Sequence, residues 1–133
     1  MLSIFRFSPI PDFPVGFWRR EEGDAVGLVC VSDLPQGRDT LLLRLMGAGP
    51  VLLEACAELD ALPEDTWERT TAAPLLVEIR RKMSQAPMEL TPFEKEFLMR
   101  TEGIYEQWER EVTDRGREVG RKEGREEGRE EGR

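Results

Sequence analysis

The chain contains no histidine. That absence removes the commonest general base, the Ser–His and Cys–His nucleophile pairs and the commonest zinc ligand. Hydrolytic chemistry would have to be built from carboxylates, lysine and a hard metal ion. Lysine is scarce too: only Lys82, Lys95 and Lys122 occur, and two places before them stand Arg80, Phe93 and Gly120. No D/E-x-K triplet exists in the chain. The two cysteines, Cys30 and Cys56, sit inside apolar runs, where reduced core residues are expected; a disulfide between them has no support, and a cytoplasmic address is favoured. No apolar run approaches the length of a membrane span. The opening MLSIFRFSPIPD lacks the basic n-region and long apolar h-region of a secretory leader. Nothing in the composition calls for a cofactor or a bound metal.

What is present is charge of both signs. The 133 residues carry 27 acidic and 19 basic side chains, a net charge of −8, interspersed throughout. Such a chain offers no positive field to a phosphate backbone, so free-standing nucleic-acid binding is disfavoured. The length fits one domain with appendages. Three regions are expected: an irregular aromatic segment with one short strand over 1–35, a helical domain over 36–112, and a charged tail over 113–133. The tail is nearly devoid of apolar residues, so the core must come from the first 112 residues and is small.

The stretch Leu90–Trp108 organises the rest. Thr91 and Glu94 have the spacing of a capping box, and Pro92 fills the first helical position, where no amide is needed. Phe93, Phe97, Ile104 and Trp108 then recur at spacings of four, seven and four, one face of a helix. Gly103 is a candidate kink or split.

Upstream, Ile4, Phe5 and Phe7 could form a short strand before Pro9, Pro11 and Pro14 forbid regular structure, so 1–25 reads as irregular. Phe13, Phe17 and Trp18 either fold back on the core or form an exposed patch awaiting a partner. Residues 25–31, AVGLVCV, read as one buried strand, for which the chain offers at most one neighbour. Residues 39–46, DTLLLRLM, are apolar nearly all round and read as a buried helix. A second helix is expected from Pro50 to about Leu62, with Leu52, Ala55, Leu59 and Leu62 inward. Residues 63–73 read as a connection with a helical turn near Trp67, and 74–83 as a third helix. From Gly116 the chain repeats every four residues, GREV, GRKE, GREE, GREE, GR. Each glycine costs a helix about 1 kcal/mol relative to alanine, more than the charge pairs along the repeat restore, so in isolation the tail is expected to fray.

The order LVCVSDLP, then RDTLLLRLMGAGPVLLEACAELDALPED, then ELTPFEKEFLMRTEGIYEQWERE and the GREEGREEGR tail resembles a known family. From about Phe13 onward the chain is similar to the C-terminal half of the recombination-promoting nucleases (Rpn-type, transposase-related) of the PD-(D/E)XK superfamily. Its best markers are Leu41–Gly47, Tyr105-Glu106-Gln107-Trp108 and the repeat. Members of that family carry an aspartate and a D/E-x-K on adjacent strands that hold Mg²⁺. That motif is missing here. Pro11-Asp12 spells its first letters within a proline-broken loop. Glu78-Ile79-Arg80-Arg81-Lys82 mimics its second half, but the lysine is four residues on and the apolar spacing is helical.

The resulting expectation is a mainly α fold of four to five helices, with a small N-terminal β element and a long charged C-terminal helix. The function expected is that of a non-catalytic accessory or oligomerisation module, with no catalytic, metal or cofactor residues. Its partners would be a second copy or a full-length nuclease relative, met through Phe17, Trp18, Leu28, Val29 and Leu42, with no direct nucleic-acid or membrane contact. The rival readings are a Mg²⁺-dependent endonuclease with an unrecognised site, and a decayed gene product.

Overall fold

The computed structural model describes residues 6–20, 26–86 and 88–132. Its elements run β1 (Phe7–Pro9), β2 (Phe17–Arg20), β3 (Gly27–Val29), a 3₁₀ turn at Val31–Asp33, α1 (Arg38–Arg44), α2 (Pro50–Ala61), α3 (Trp67–Gln85) and α4 (Pro92–Glu131). The fold is mainly α, with a small N-terminal sheet and a long C-terminal helix. Ile4, Phe5 and Ala25, which the sequence placed in strands, lie outside the described residues.

The strands form one antiparallel sheet in the order β1-β2-β3, with Pro9 opposite Trp18, Trp18 opposite Leu28 and Phe17 opposite Val29. Two expectations are corrected here. Residues 17–20 are a strand rather than irregular chain, because Phe17 and Trp18 suit a pleated surface and the prolines fall outside the span. The strand at 25–31 shrinks to Gly27–Val29 and is not buried: Leu28 is half-buried, and Gly27 and Val29 are exposed. It has a neighbour in β2, so it does not lack a partner. Gly16 ties the sheet to the 3₁₀ turn. At φ +105° it takes a conformation that side chains disfavour, and its carbonyl accepts the Cys30 N–H at 2.8 Å. A Cβ there would lie 2.9 Å from both the Cys30 carbonyl oxygen and buried Leu34.

The helices share one core of Leu41, Leu45, Ala55, Cys56, Leu59, Ala72, Leu76, Phe97 and Ile104. α2 follows its sequence pattern, with Ala55 and Leu59 buried and Leu52 and Leu62 half-buried beside them. α1 does not. Leu42 and Leu43 are only half-buried and Met46 is exposed, whereas Arg44 is buried. α3 runs unbroken through Pro74, although a helix-interior proline costs about 3 kcal/mol. Arg69, Ala72 and Leu76 are buried on both sides of the proline, and that packing outweighs the lost hydrogen bond.

The proximal part of α4 is the element on which α2 and α3 pack. Its capping box is formed: Glu94 N–H donates to Thr91 Oγ1 at 3.2 Å, and Thr91 N–H to Glu94 Oε2 at 2.7 Å. Gly103 does not split the helix. It lets α2 approach, since a Cβ there would lie 2.7 Å from Asp60 Oδ1. The buried face is Phe97, Thr101, Ile104 and Gln107, with Phe93 and Trp108 half-buried at its ends. At 112/113, where the tail was expected to begin, the backbone has no break; the helix leaves the body there and continues to Glu131.

Candidate association surface

Two buried arginines and a half-buried one fasten the body, and none was foreseen from the sequence. Arg44 donates from Nη1 to Glu58 Oε2 at 2.7 Å, from Nη2 to Gly37 O at 2.8 Å and from Nε to Thr40 Oγ1 at 3.0 Å. Arg69 donates from Nε to Gln107 Oε1 at 2.7 Å, and from Nη1 to the carbonyls of Asp60 (2.6 Å) and Leu62 (3.1 Å). Arg80, half-buried, reaches Leu98 O, Thr101 Oγ1 and Glu102 Oε2. Most of these contacts join separate segments. The signal in the sequence was a lone arginine within an apolar helix, as in LLLRLM, where a charge is tolerated only with partners.

The Arg80 guanidinium also lies 4.6 Å from the Tyr105 ring centroid, and Tyr105 stacks with Trp108 at 6.4 Å and 25°. Together with Val77, Arg81 and Ser84 they line an open concavity of about 380 Å³ between α3 and α4. Its basic character is largely neutralised. Arg81 forms a two-pronged pair with Glu78 at 2.6 and 3.0 Å, and that hydrogen bond holds the Glu78 carboxyl below the usual carboxylate range. Residues 78–82 therefore form a helical surface, and Glu78 is committed to an arginine. Asp12 stands in an exposed turn at φ +64°. Among the described residues, no group of three or more His, Cys, Asp or Glu is placed to hold a metal ion.

Of the five residues expected at an association surface, four come together in the sheet. Phe17 and Val29 are cross-strand neighbours on one face, Trp18 and Leu28 on the other. Phe13, 58% exposed, extends the first pair with its ring centroid 5.5 Å from that of Phe17. The Trp18 indole N–H is buried without an acceptor among the described residues. Leu42 does not join them; it lies on α1, packed against the helical core.

The second surface is the free half of α4. Beyond Glu111 every described residue is exposed, through about twenty residues or roughly 30 Å of helix. Val112 and Val119, 42% and 53% exposed, stand seven residues apart and so lie nearly in line. The glycines at 116, 120, 124 and 128 face open space, with nothing within 4 Å of a notional Cβ. Within this half Lys122 Nζ pairs with Glu118 Oε1 at 3.2 Å, across one turn. Among the described residues no helix is long and apolar enough to cross a membrane. Compared with protein-family models, with curated proteins and with solved structures, the chain finds no match.

Proposed function

We propose that this chain is a non-catalytic helical association module that acts by pairing with a second copy of itself. The observation that carries the reading is the free half of α4. Four interior glycines cost that helix about 4 kcal/mol relative to alanine, and a single-turn Lys–Glu pair returns at most about 0.5 kcal/mol. A helix of this composition holds its form best when another surface covers it. The Phe13–Phe17–Val29 patch on the sheet, with Phe13 and Val29 exposed and Phe17 half-buried, is a smaller second surface of the same kind. The resemblance to the C-terminal half of Rpn-type proteins supports the reading from another side, since this chain keeps the helices and the repeat without the D/E-x-K triplet. A longer relative carrying the nuclease core would present the same helix, and the chain would modulate it by co-assembly. Static light scattering of the purified chain over a concentration range tests the reading. It calls for a mass of about twice 15.3 kDa or more. A mass that stays at 15.3 kDa at every concentration overturns it.

A further inference from the structure

The free half of α4 is electrically two-sided along its length. Residues 114–122 carry four basic and two acidic side chains, whereas residues 123–133 carry three basic and five acidic ones. The whole segment is thus neutral, positive near the body and negative toward the end. The chain's net charge of −8 therefore resides in residues 1–113.

Position around the helix sharpens the contrast. At 100° per residue, the face that holds Val112 and Val119 also carries Arg115 and Lys122 along its flank in the proximal part. In the distal part the same face carries Glu123, Glu126, Glu127 and Glu130. Asp114 and Glu118 proximally and Arg125 distally turn away from it, as do the basic Arg117 and Arg121, whereas Arg129 follows Arg115 and Lys122 on the same flank and leaves the distal part with a net acidic face. The face with exposed valines is therefore basic at one end and acidic at the other. Gly116 and Gly120 on or beside it leave room for a second backbone to approach.

We propose that two copies of the chain pair through this face in antiparallel orientation, about a twofold axis near Gly124. The inference rests on the self-association reading and adds the surface and the orientation. In that arrangement Lys122 of one copy lies beside Glu126 of the other. Each basic proximal half meets an acidic distal half, and the two helix dipoles oppose. A parallel pair would set the distal glutamates against their own copies and crowd two bodies of charge −8 together at one end. Charges separated by more than about 8 Å are screened at physiological salt, so contacts along the two helices decide the orientation.

Single-cysteine trapping tests it. In a Cys30→Ser, Cys56→Ala background, Val119→Cys and Glu130→Cys chains are prepared separately, mixed and oxidised under mild conditions. Antiparallel pairing gives the mixed 119–130 cross-link well above either self-link. It also gives a dimer whose dissociation constant rises on the order of tenfold from low to high salt. A dimer that self-links at 119 and at 130 is parallel and overturns the orientation while leaving self-association standing. A dimer that links at neither position and ignores salt pairs elsewhere and overturns the surface. A chain that is monomeric by light scattering, before any cysteine is introduced, overturns both. Circular dichroism of each variant confirms that the helices are retained.

Discussion

Arg69 in α3 donates its Nε–H to Gln107 Oε1 in α4 at 2.7 Å, although 38 residues separate them. The same guanidinium reaches the carbonyls that close α2, and Gln107 Nε2 donates onward to Glu64 O at 3.1 Å. One buried fork thus joins three helices and the connection between two of them. Arg69→Ala leaves those acceptors buried without a donor, and should lower unfolding free energy by about 2–4 kcal/mol. Arg69→Lys should recover only part of this, because an ammonium cannot reproduce the planar fork. Urea unfolding followed by circular dichroism measures both; an Arg69→Ala chain within 0.5 kcal/mol, roughly, of wild type would show that the fork is dispensable.

Gly16 makes a sharper local test. Its positive φ and the contact with the Cys30 carbonyl oxygen mean that Gly16→Ala must shift backbone, not merely a side chain. A loss of about 1–3 kcal/mol is expected from the strained conformation. Gly103→Ala offers the contrast. There the nearest atom is the end of the Asp60 side chain, and the propensity gain of about 1 kcal/mol offsets its displacement. Thermal melts of the two variants should differ clearly, and equal midpoints would contradict the packing described at Gly16.

Burial pushes the Cys56 thiol up to about 12. The neutral thiol is therefore favoured in the folded state. Its contribution is fully present below the unfolded thiol value and is lost as pH rises from there toward about 12. Stability should fall above pH of about 9, with a slope of up to about 1.4 kcal/mol per unit from this group. Cys56→Ala should flatten that limb at some cost in packing. The carboxyls of Glu68 and Glu78, hydrogen-bonded by Arg38 and Arg81, are shifted down, so their contributions are present above the unfolded carboxylate value and fade as pH falls through the folded ones. In native protein a thiol reagent at pH 8 should label Cys30, half-buried, well before Cys56; equal rates would place Cys56 outside the core.

Purified chain incubated with supercoiled DNA and Mg²⁺ or Mn²⁺ should give no nicking above a buffer control. The reason lies in sequence and placement: there is no D/E-x-K, Glu78 is held by Arg81, and Asp12 stands in an exposed turn. Reproducible nicking abolished by Asp12→Ala or Glu78→Ala would make the chain an enzyme.

The parts of this fold legible in the sequence are those fixed by local chemistry. Thr91, Pro92 and Glu94 announced the start of α4, and Pro50 with its apolar spacing announced α2. What stayed hidden depends on neighbours. Pro74 marks a helix start by local rules, and only the packing of Ala72 and Leu76 carries α3 through it. Phe17-Trp18-Arg19-Arg20 resembles loop between prolines until β1 and β3 supply partners. Arg44 and Gln107 read as polar interruptions of apolar faces, because acceptors that hold them, Glu58 and the Glu64 carbonyl, lie 14 and 43 residues away. Of the residues expected at an association surface, Leu28 and Val29 were legible as strand from their apolar, β-branched run, whereas the pairing of Phe17 and Trp18 with them was not. Leu42 packs against the helical core, a placement the sequence left open because an apolar helix reads the same whether it faces a core or a partner. The polarity of the α4 face was written in the repeat, but it has meaning only once those residues form one continuous helix.

On the proposed function, the free half of α4 brings two chains together. Sedimentation equilibrium of the full chain beside a chain lacking residues 116–133 tests it most directly, with thermal melts run on the same samples. The full chain should be a dimer, with a melting midpoint that rises with concentration, and the shortened one a folded monomer, with a midpoint that does not. At high dilution the two midpoints should nearly coincide, since the removed residues bury almost nothing against the body. Equal masses for the two chains, whether both monomeric or both dimeric, would contradict it.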